Sequence, residues 1–272
     1  MAITSVEGVR QGLIPPLNIW DSNSTGAATF YGFSGQPIIT GINGQALTSP
    51  QSTWTSQIFK NTSYTNPEVG KSTYISGCMS LISKNATVYG NSFAHAIIIA
   101  DFLWLTSGLA FSTGPQSITF PTLPSRDING ENLGEGVIPM FFVSPPTALG
   151  ADPVSIAITY TNSKGISGRS STTTDTVSIL ECSAVMLPLQ SGDTGVRSIQ
   201  TIEFGANPVS GTPVIALIRP LIITGACFGT KTKNGIDNLL LTKIFDNSVL
   251  APIINRNSSS FSLSCILQLT QG

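Results

Sequence analysis

Of the residues suited to acid–base, nucleophilic or metal chemistry, this 272-residue chain offers one histidine, 14 carboxylates and 4 cysteines. His95 sits between Ala94 and Ala96 in an apolar run, where an imidazole is expected to serve as a satisfied core residue rather than a base. With His95 set aside, no Ser-His-Asp or Cys-His constellation can be assembled, and a His-based metal site is excluded by count. Asp101, in the same run, occupies a costly position: if buried it needs a cationic partner, for which Arg126 and Arg169 are the candidates, or else it is a pKa-shifted acid.

The stretch RDINGENLGEG gathers Asp127, Glu131 and Glu135 among glycines and asparagines. Hard cations want such oxygen ligands, but the spacing departs from the DxDxDG order of a calcium loop, so a polar loop is expected. The Gly-rich piece GFSGQPIITGING matches neither GxGxxG nor a Walker A pattern, which leaves nucleotide binding without support. Cys78, Cys182, Cys227 and Cys265 lack CxxC spacing. Two disulfides are arithmetically open to them, yet three lie in apolar, strand-like surroundings where reduced thiols pack as small hydrophobes. No cofactor and no metal are expected.

The elements that must position these residues are written in the composition. Charged residues make up 10% of the chain, well under half the roughly 25% of an ordinary domain, and mean hydropathy is +0.24. At a formal net charge of −1, little repulsion keeps copies apart, so the surface is either solvated by Ser, Thr, Asn and Gln or covered by neighbours. The 13 basic residues form no cluster against the 14 acidic ones, and direct nucleic-acid contact is not expected. No basic and apolar leader opens the sequence, which predicts cytoplasmic folding, with the sequons at Asn23, Asn61, Asn85 and Asn257 accidental.

Residues 1–55, punctuated by Pro15, Pro16, Gly32, Gly35, Gly41, Gly44 and Pro50, predict an extended N-terminal arm, and residues 56–272 one β-sandwich domain. Ile75, Cys78, Met79 and Ile82 fall at helical spacing, with a strand as the alternative. FAHAIIIADFLWLTSGLAF, interrupted by His95 and Asp101 and without flanking basic anchors, argues against a membrane span and predicts a short buried helix near 94–107 capped at Gly108. From 112 onward, strand-like runs alternate with Gly, Pro, Asn and Asp clusters, which predicts an antiparallel, jelly-roll-like sandwich. Ile156, Ile158 and Tyr160 share one face and Ala157, Thr159 and Thr161 the other; NSKG turns the chain, and Val177 and Ile179 resume the alternation. Pro220 in LIRPL suits a strand end or an edge.

Three pieces in fixed order, DFLWLTSGL, FPTLPSRDINGENLGEGV and AITYTNSKGISGRSST, followed by LQSGDTGVRSIQTIEF and ALIRPL, resemble a family of virion structural proteins of tailed bacteriophages over roughly residues 100–222. That family carries a Trp-containing apolar segment, a Pro-Ala/Ser-Arg-Asp loop, a Tyr-Thr-Asn-x-x-Gly-x-x-Gly-Arg hairpin and a Gly-(Val/Leu)-Arg-Ser-(Ile/Val) strand. The resemblance implies a capsid-associated β-sandwich, as decoration or cement proteins are, with no catalytic residues to transfer. Its recurrent charged positions, Arg126, Asp127, Arg169 and Arg197, are then expected to brace loops or pin neighbouring copies. The partners so implied are further copies of the chain, a trimer included, and the major capsid protein or other virion proteins, with no membrane. A tail-fibre or tail-tip module binding a receptor or carbohydrate is the alternative, with Trp20, Trp54 and Tyr74 as stacking candidates. A glycosidase would need two carboxylates across a cleft, which spacing alone does not reveal.

Overall fold

A computed structural model describes residues 13–21, 45–46, 62–64, 67–83, 94–106, 109–144, 154–175, 184–205, 212–227, 231–234, 242–254 and 262–272. Among these the chain is mainly β and contains no helix. In chain order the strands are β1 (Leu13–Asp21), β2 (Gln45–Ala46), β3 (Thr62–Ser63), β4 (Thr73–Ser83), β5 (Ala94–Thr106), β6 (Gln116–Ser117), β7 (Ile138–Ser144) and β8 (Val154–Asn162). They continue as β9 (Arg169–Asp175), β10 (Ala184–Met186), β11 (Val196–Phe204), β12 (Thr212–Cys227), β13 (Lys231–Asn234), β14 (Thr242–Ile244), β15 (Val249–Ile254) and β16 (Ser262–Gln271).

These strands form three sheets, ordered β1-β16-β4-β13 with β14 also on β4, β10-β7-β12-β5-β15-β3 with β2 also on β5, and β6-β11-β8-β9. Every pairing between these strands is antiparallel. The second and third sheets face each other across the main core. One side supplies Leu103, Trp104, Phe141, Ile215 and Leu217, the other Ile156, Ile158, Tyr160, Ile199, Ile202 and Phe204. Phe204 meets Phe111 edge-on at 4.9 Å between centroids, and Phe120 closes over the fully buried Trp104 at 4.6 Å. Face-to-face sheets around one apolar layer are the sandwich arrangement.

The helix expected near 94–107 is the central strand β5. It lies between β12 and β15, and Ile99, Ala100, Phe102, Leu103 and Trp104 are all 0% exposed. A strand covered on both faces is apolar at consecutive positions, a pattern that imitates a buried helix. The helical spacing in β4 also belongs to a strand. Gln268 and Leu269 of β16 pair with Gly77 and Ile75, which leaves Ser76 as a bulge. One extra residue shifts the two-residue alternation, so Ile75 and Cys78 are both buried although three apart.

Pro220 lies inside β12 rather than at its end, but beyond the stretch that pairs with β7 and at a register shift against β5. A residue without an N–H is tolerated there. The hairpin at 156–162 returns along the Ser/Thr run of β9, while Val177 and Ile179 lie outside the described residues. Most of the N-terminal arm also lies outside them; its part Leu13–Asp21 pairs with the last strand, β16. Cys78 is buried, Cys182 is outside the described residues, and Cys227 and Cys265 fall in β12 and β16.

Candidate functional site

Two polar constellations organise the loops at the core margin. In the first, Asp101 projects from β5 with no exposure at all. Its Oδ2 accepts from Arg126 Nε at 3.1 Å and Ser248 Oγ at 2.7 Å, and its Oδ1 from the Val249 amide at 2.8 Å. Arg126 donates further to the carbonyls of Asn247 at 2.6 Å and Phe102 at 3.0 Å. Asn247 holds a left-handed backbone, φ 61°, a conformation Asn tolerates better than most residues. That turn aims its carbonyl at the guanidinium.

The antiparallel register sets Arg219 of β12 directly opposite Asp101, and its Nη2 stands 3.5 Å from Oδ2. Arg219 Nη1 donates to the Lys243 carbonyl at 3.0 Å, and the guanidinium covers the Phe245 ring at 4.9 Å. Its Nε has no acceptor among the described residues. Burial pushes the Arg219 pKa down and the Asp101 carboxylate opposes that shift. Two buried cations share one buried anion, an arrangement that fixes β5, β12 and the 124–126 loop to each other.

The second constellation is a junction of three loops. Asp127 turns its carboxylate into its own loop: Oδ1 accepts the amides of Asn129 at 2.9 Å and Glu131 at 2.8 Å, and Oδ2 those of Gly134 at 3.1 Å and Glu135 at 3.2 Å. A carboxylate so engaged organises backbone, and its oxygens are already committed to amides where a cation would need them. Gly134, at φ +81°, is required twice over, since a Cβ there would collide with the Val196 carbonyl.

Opposite this loop stands the β8–β9 hairpin. Asn162 Oδ1 accepts the amides of Lys164 and Ile166, and Gly165 and Gly168 take the left-handed conformations that the turn demands. The third loop supplies Asp193, whose side chain is 2% exposed. It accepts from Arg169 Nε at 2.9 Å, Tyr160 Oη at 2.6 Å and Asn162 Nδ2 at 2.7 Å. Hydrogen bonding to Arg169 first, with Tyr160 and Asn162, holds its pKa down to about 2. Burial, together with the bond to Asp193, raises that of Tyr160.

Gly136 donates to Thr194 O, Ser163 to Gly195 O and Val196 to Val137 O, each at 3.0 Å, which ties the three loops together. Thr194 Oγ1 donates to Glu135 Oε2 at 2.9 Å, and the hydroxyls of Ser163 and Thr194 draw the Glu135 pKa below the usual carboxylate range.

Of the four residues expected to brace loops or pin neighbours, Arg126, Asp127 and Arg169 all make contacts within their own chain. Arg197 is different. It is exposed, its side chain is joined to no described residue by a hydrogen bond or ion pair, and it lines a pocket of about 200 Å³ with Phe120, Thr122, Asn132 and Ser198. The partner expected for Asp101 is Arg126; Arg169 serves Asp193 instead. Asp193, Ser248 and Arg219 were not singled out by spacing, because each meets its partners only after distant strands have paired, whereas Asn162 was legible as the start of the NSKG turn but its bond to Asp193 was not. Tyr74 is half-buried, Trp54 is outside the described residues, and the surroundings of Trp20 and His95 lie outside them as well. Among the described residues no group of three His, Cys, Asp or Glu is placed to hold a metal ion.

No protein-family model, curated protein or solved structure matches the chain.

Proposed function

We propose that this chain is a non-enzymatic structural subunit of a tailed-phage particle, capsid-associated as decoration or cement proteins are, and packed against further copies and shell subunits. The observation that carries this proposal is where the ionised groups go. Asp101, Asp127, Arg126 and Arg219 are buried, and the Asp193 side chain is 2% exposed; each is spent on internal bracing. The outer face of the β6-β11-β8-β9 sheet carries Glu203 on β11 and is otherwise rich in hydroxyls. Ser117, Thr201, Thr159 and Ser170 stand in one row across its four strands. A chain with 10% charged residues that places this many of them inside keeps few outside to hold copies apart, a composition suited to a surface that ends up covered. The sequence resemblance points to the same class, and Asp101, Asp127 and Asp193 have their oxygens committed to structural donors.

The test is the amount of this chain in purified particles relative to the major shell protein, with binding of the purified chain to shells that lack it. A copy number comparable with that of the shell protein supports the proposal. Absence from particles together with no affinity for shells overturns it.

One observation favours a second role, a tail-fibre module that binds carbohydrate. The Arg197 pocket sets a half-buried aromatic ring beside amide, hydroxyl and guanidinium groups, but at about 200 Å³ it is smaller than the roughly 300 Å³ at which ligand pockets usually begin. Glycan-array binding that is lost in Arg197→Ala would favour this role over the shell.

A further inference from the structure

Strand β9 is a sheet edge: among the described residues it pairs with β8 on one side and with no strand on the other. Proteins normally guard such edges with lysine, proline, a bulge or an inward charge, because a row of open amides and carbonyls invites another strand. The 7 residues of β9, RSSTTTD, pair with β8 at every position without a register shift, and only hydroxyl residues stand between Arg169 and Asp175. The Ser170 amide donates to the exposed Gln190 side chain at 3.4 Å, on the side away from β8. By strand alternation, Ser170, Thr172 and Thr174 then present their amides and carbonyls to the open side, and the odd-numbered positions bond to β8.

We propose that this edge is closed by β9 of a second copy of the chain, antiparallel about a two-fold axis through Thr172. In that register Thr172 meets Thr172 of the second copy, and Ser170 meets Thr174. The backbone groups of all three positions face the open side, so each pair can exchange both hydrogen bonds, the Ser170 amide passing from the exposed Gln190 side chain, which holds it at 3.4 Å, to the second strand. Arg169 falls opposite Asp175 at either end. Its Nε and Nη2 are engaged by Asp193 and the Ser191 carbonyl, which leaves Nη1 for the second carboxylate.

The charge order selects the partner. An antiparallel copy brings opposite charges together at both ends, whereas a parallel in-register copy sets Arg169 against Arg169 and Asp175 against Asp175. An unrelated strand would find the same open amides without this match. The two third sheets become one continuous sheet, with the hydroxyl face running across the axis. One strand pair buries less than the roughly 1,200 Å² of a stable interface, so association is reversible and concentration-dependent. The pairing concerns the chain alone and stands or falls apart from its role in a particle.

Sedimentation velocity of the full chain over a range of concentrations tests it, with a monomer–dimer equilibrium expected. Thr172→Pro removes an open-side donor and leaves the β8 ladder its bonds, and it should weaken the dimer about tenfold. Asp175→Lys, which sets like charges opposite at both ends, should weaken it too. Thr172→Cys, a small change that retains the strand, should give a disulfide-linked dimer under mild oxidation, where Thr174→Cys and the unaltered chain do not. A chain that stays monomeric at all concentrations overturns the proposal. So does a dimer indifferent to Thr172→Pro in which Thr172→Cys does not cross-link.

Discussion

Asp101 and Arg219 face each other across the β5–β12 ladder, 3.5 Å apart, yet of the two guanidinium groups it is Arg126 that donates a hydrogen bond to Asp101 Oδ2, beside the Ser248 hydroxyl. The two arginines around one carboxylate are therefore not equivalent. Arg126 bridges Asp101, Phe102 and Asn247, whereas Arg219 leaves its Nε without an acceptor among the described residues. Removing the carboxylate as Asp101→Ala abandons two buried cations and should cost about 3–5 kcal/mol. Arg126→Met strips Asp101 of its bonded cation and should cost nearly as much. Arg219→Met leaves a neutral pair and exchanges a poorly satisfied guanidinium for an apolar chain, so its cost should stay within about 1–2 kcal/mol. Urea unfolding of the three variants checks the order.

The Asp127 carboxylate predicts a different failure. Four amides of one loop converge on it, and an asparagine supplies one carbonyl oxygen while its NH2 opposes the remaining donors. Asp127→Asn should therefore be almost as damaging as Asp127→Ala, at about 3 kcal/mol. Faster amide exchange at Asn129, Glu131, Gly134 and Glu135, with little change in the β5–β12 strands, would locate the damage in the loop.

Among the left-handed glycines, crowding separates two classes. Gly134→Ala drives a Cβ into the Val196 backbone at the loop junction. At Gly168, also with positive φ (73°), nothing lies within 4 Å of the added carbon. Gly168→Ala should cost only the conformational penalty of about 1–2 kcal/mol, while Gly134→Ala should cost clearly more or prevent folding. Comparing soluble yield and thermal midpoints of the two variants measures the difference.

How far the sequence spoke for itself can be judged at particular residues. The alternation of Ile156, Ile158 and Tyr160 with Ala157, Thr159 and Thr161 was legible because β8 has one buried and one open face, and NSKG marked its turn. The strand nature of β5 was not, because burial on both faces erases the alternation. In β4 the bulge at Ser76 replaced a spacing of two by one of three. The need of Asp101 for a cation followed from the cost of burial alone, and Arg126 was a named candidate. Arg219 was not, because only the β5–β12 register brings it there. Asp193 lies 24 positions from Arg169 and 33 from Tyr160, so no local pattern announces it. The strand nature of β9 was hard to read, because a run of hydroxyl residues lacks the apolar half of the strand signal; Val177 and Ile179, expected to resume the alternation, lie outside the described residues.

The Asp193 cluster makes stability depend on pH in a defined direction. Its carboxyl is held near pKa 2, chiefly by Arg169, against about 3.9 in an unfolded chain. Because the folded value is the lower one, the unfolded state binds more protons as the solution is acidified, and stability is lost on the way down. The contribution of this carboxylate is complete above about pH 4–5 and fades as pH falls through about 2. Glu135, lowered by Ser163 and Thr194, acts with the same sign. Asp193→Asn retains an acceptor oxygen for Tyr160 but not the charge facing Arg169. It should be less stable than the parent at pH 7, and the gap should narrow steadily below about pH 4. Denaturant midpoints of the two proteins at pH 7, 5, 4 and 3 measure that gap, and one that stayed constant to pH 3 would show that Asp193 keeps the same pKa in both states.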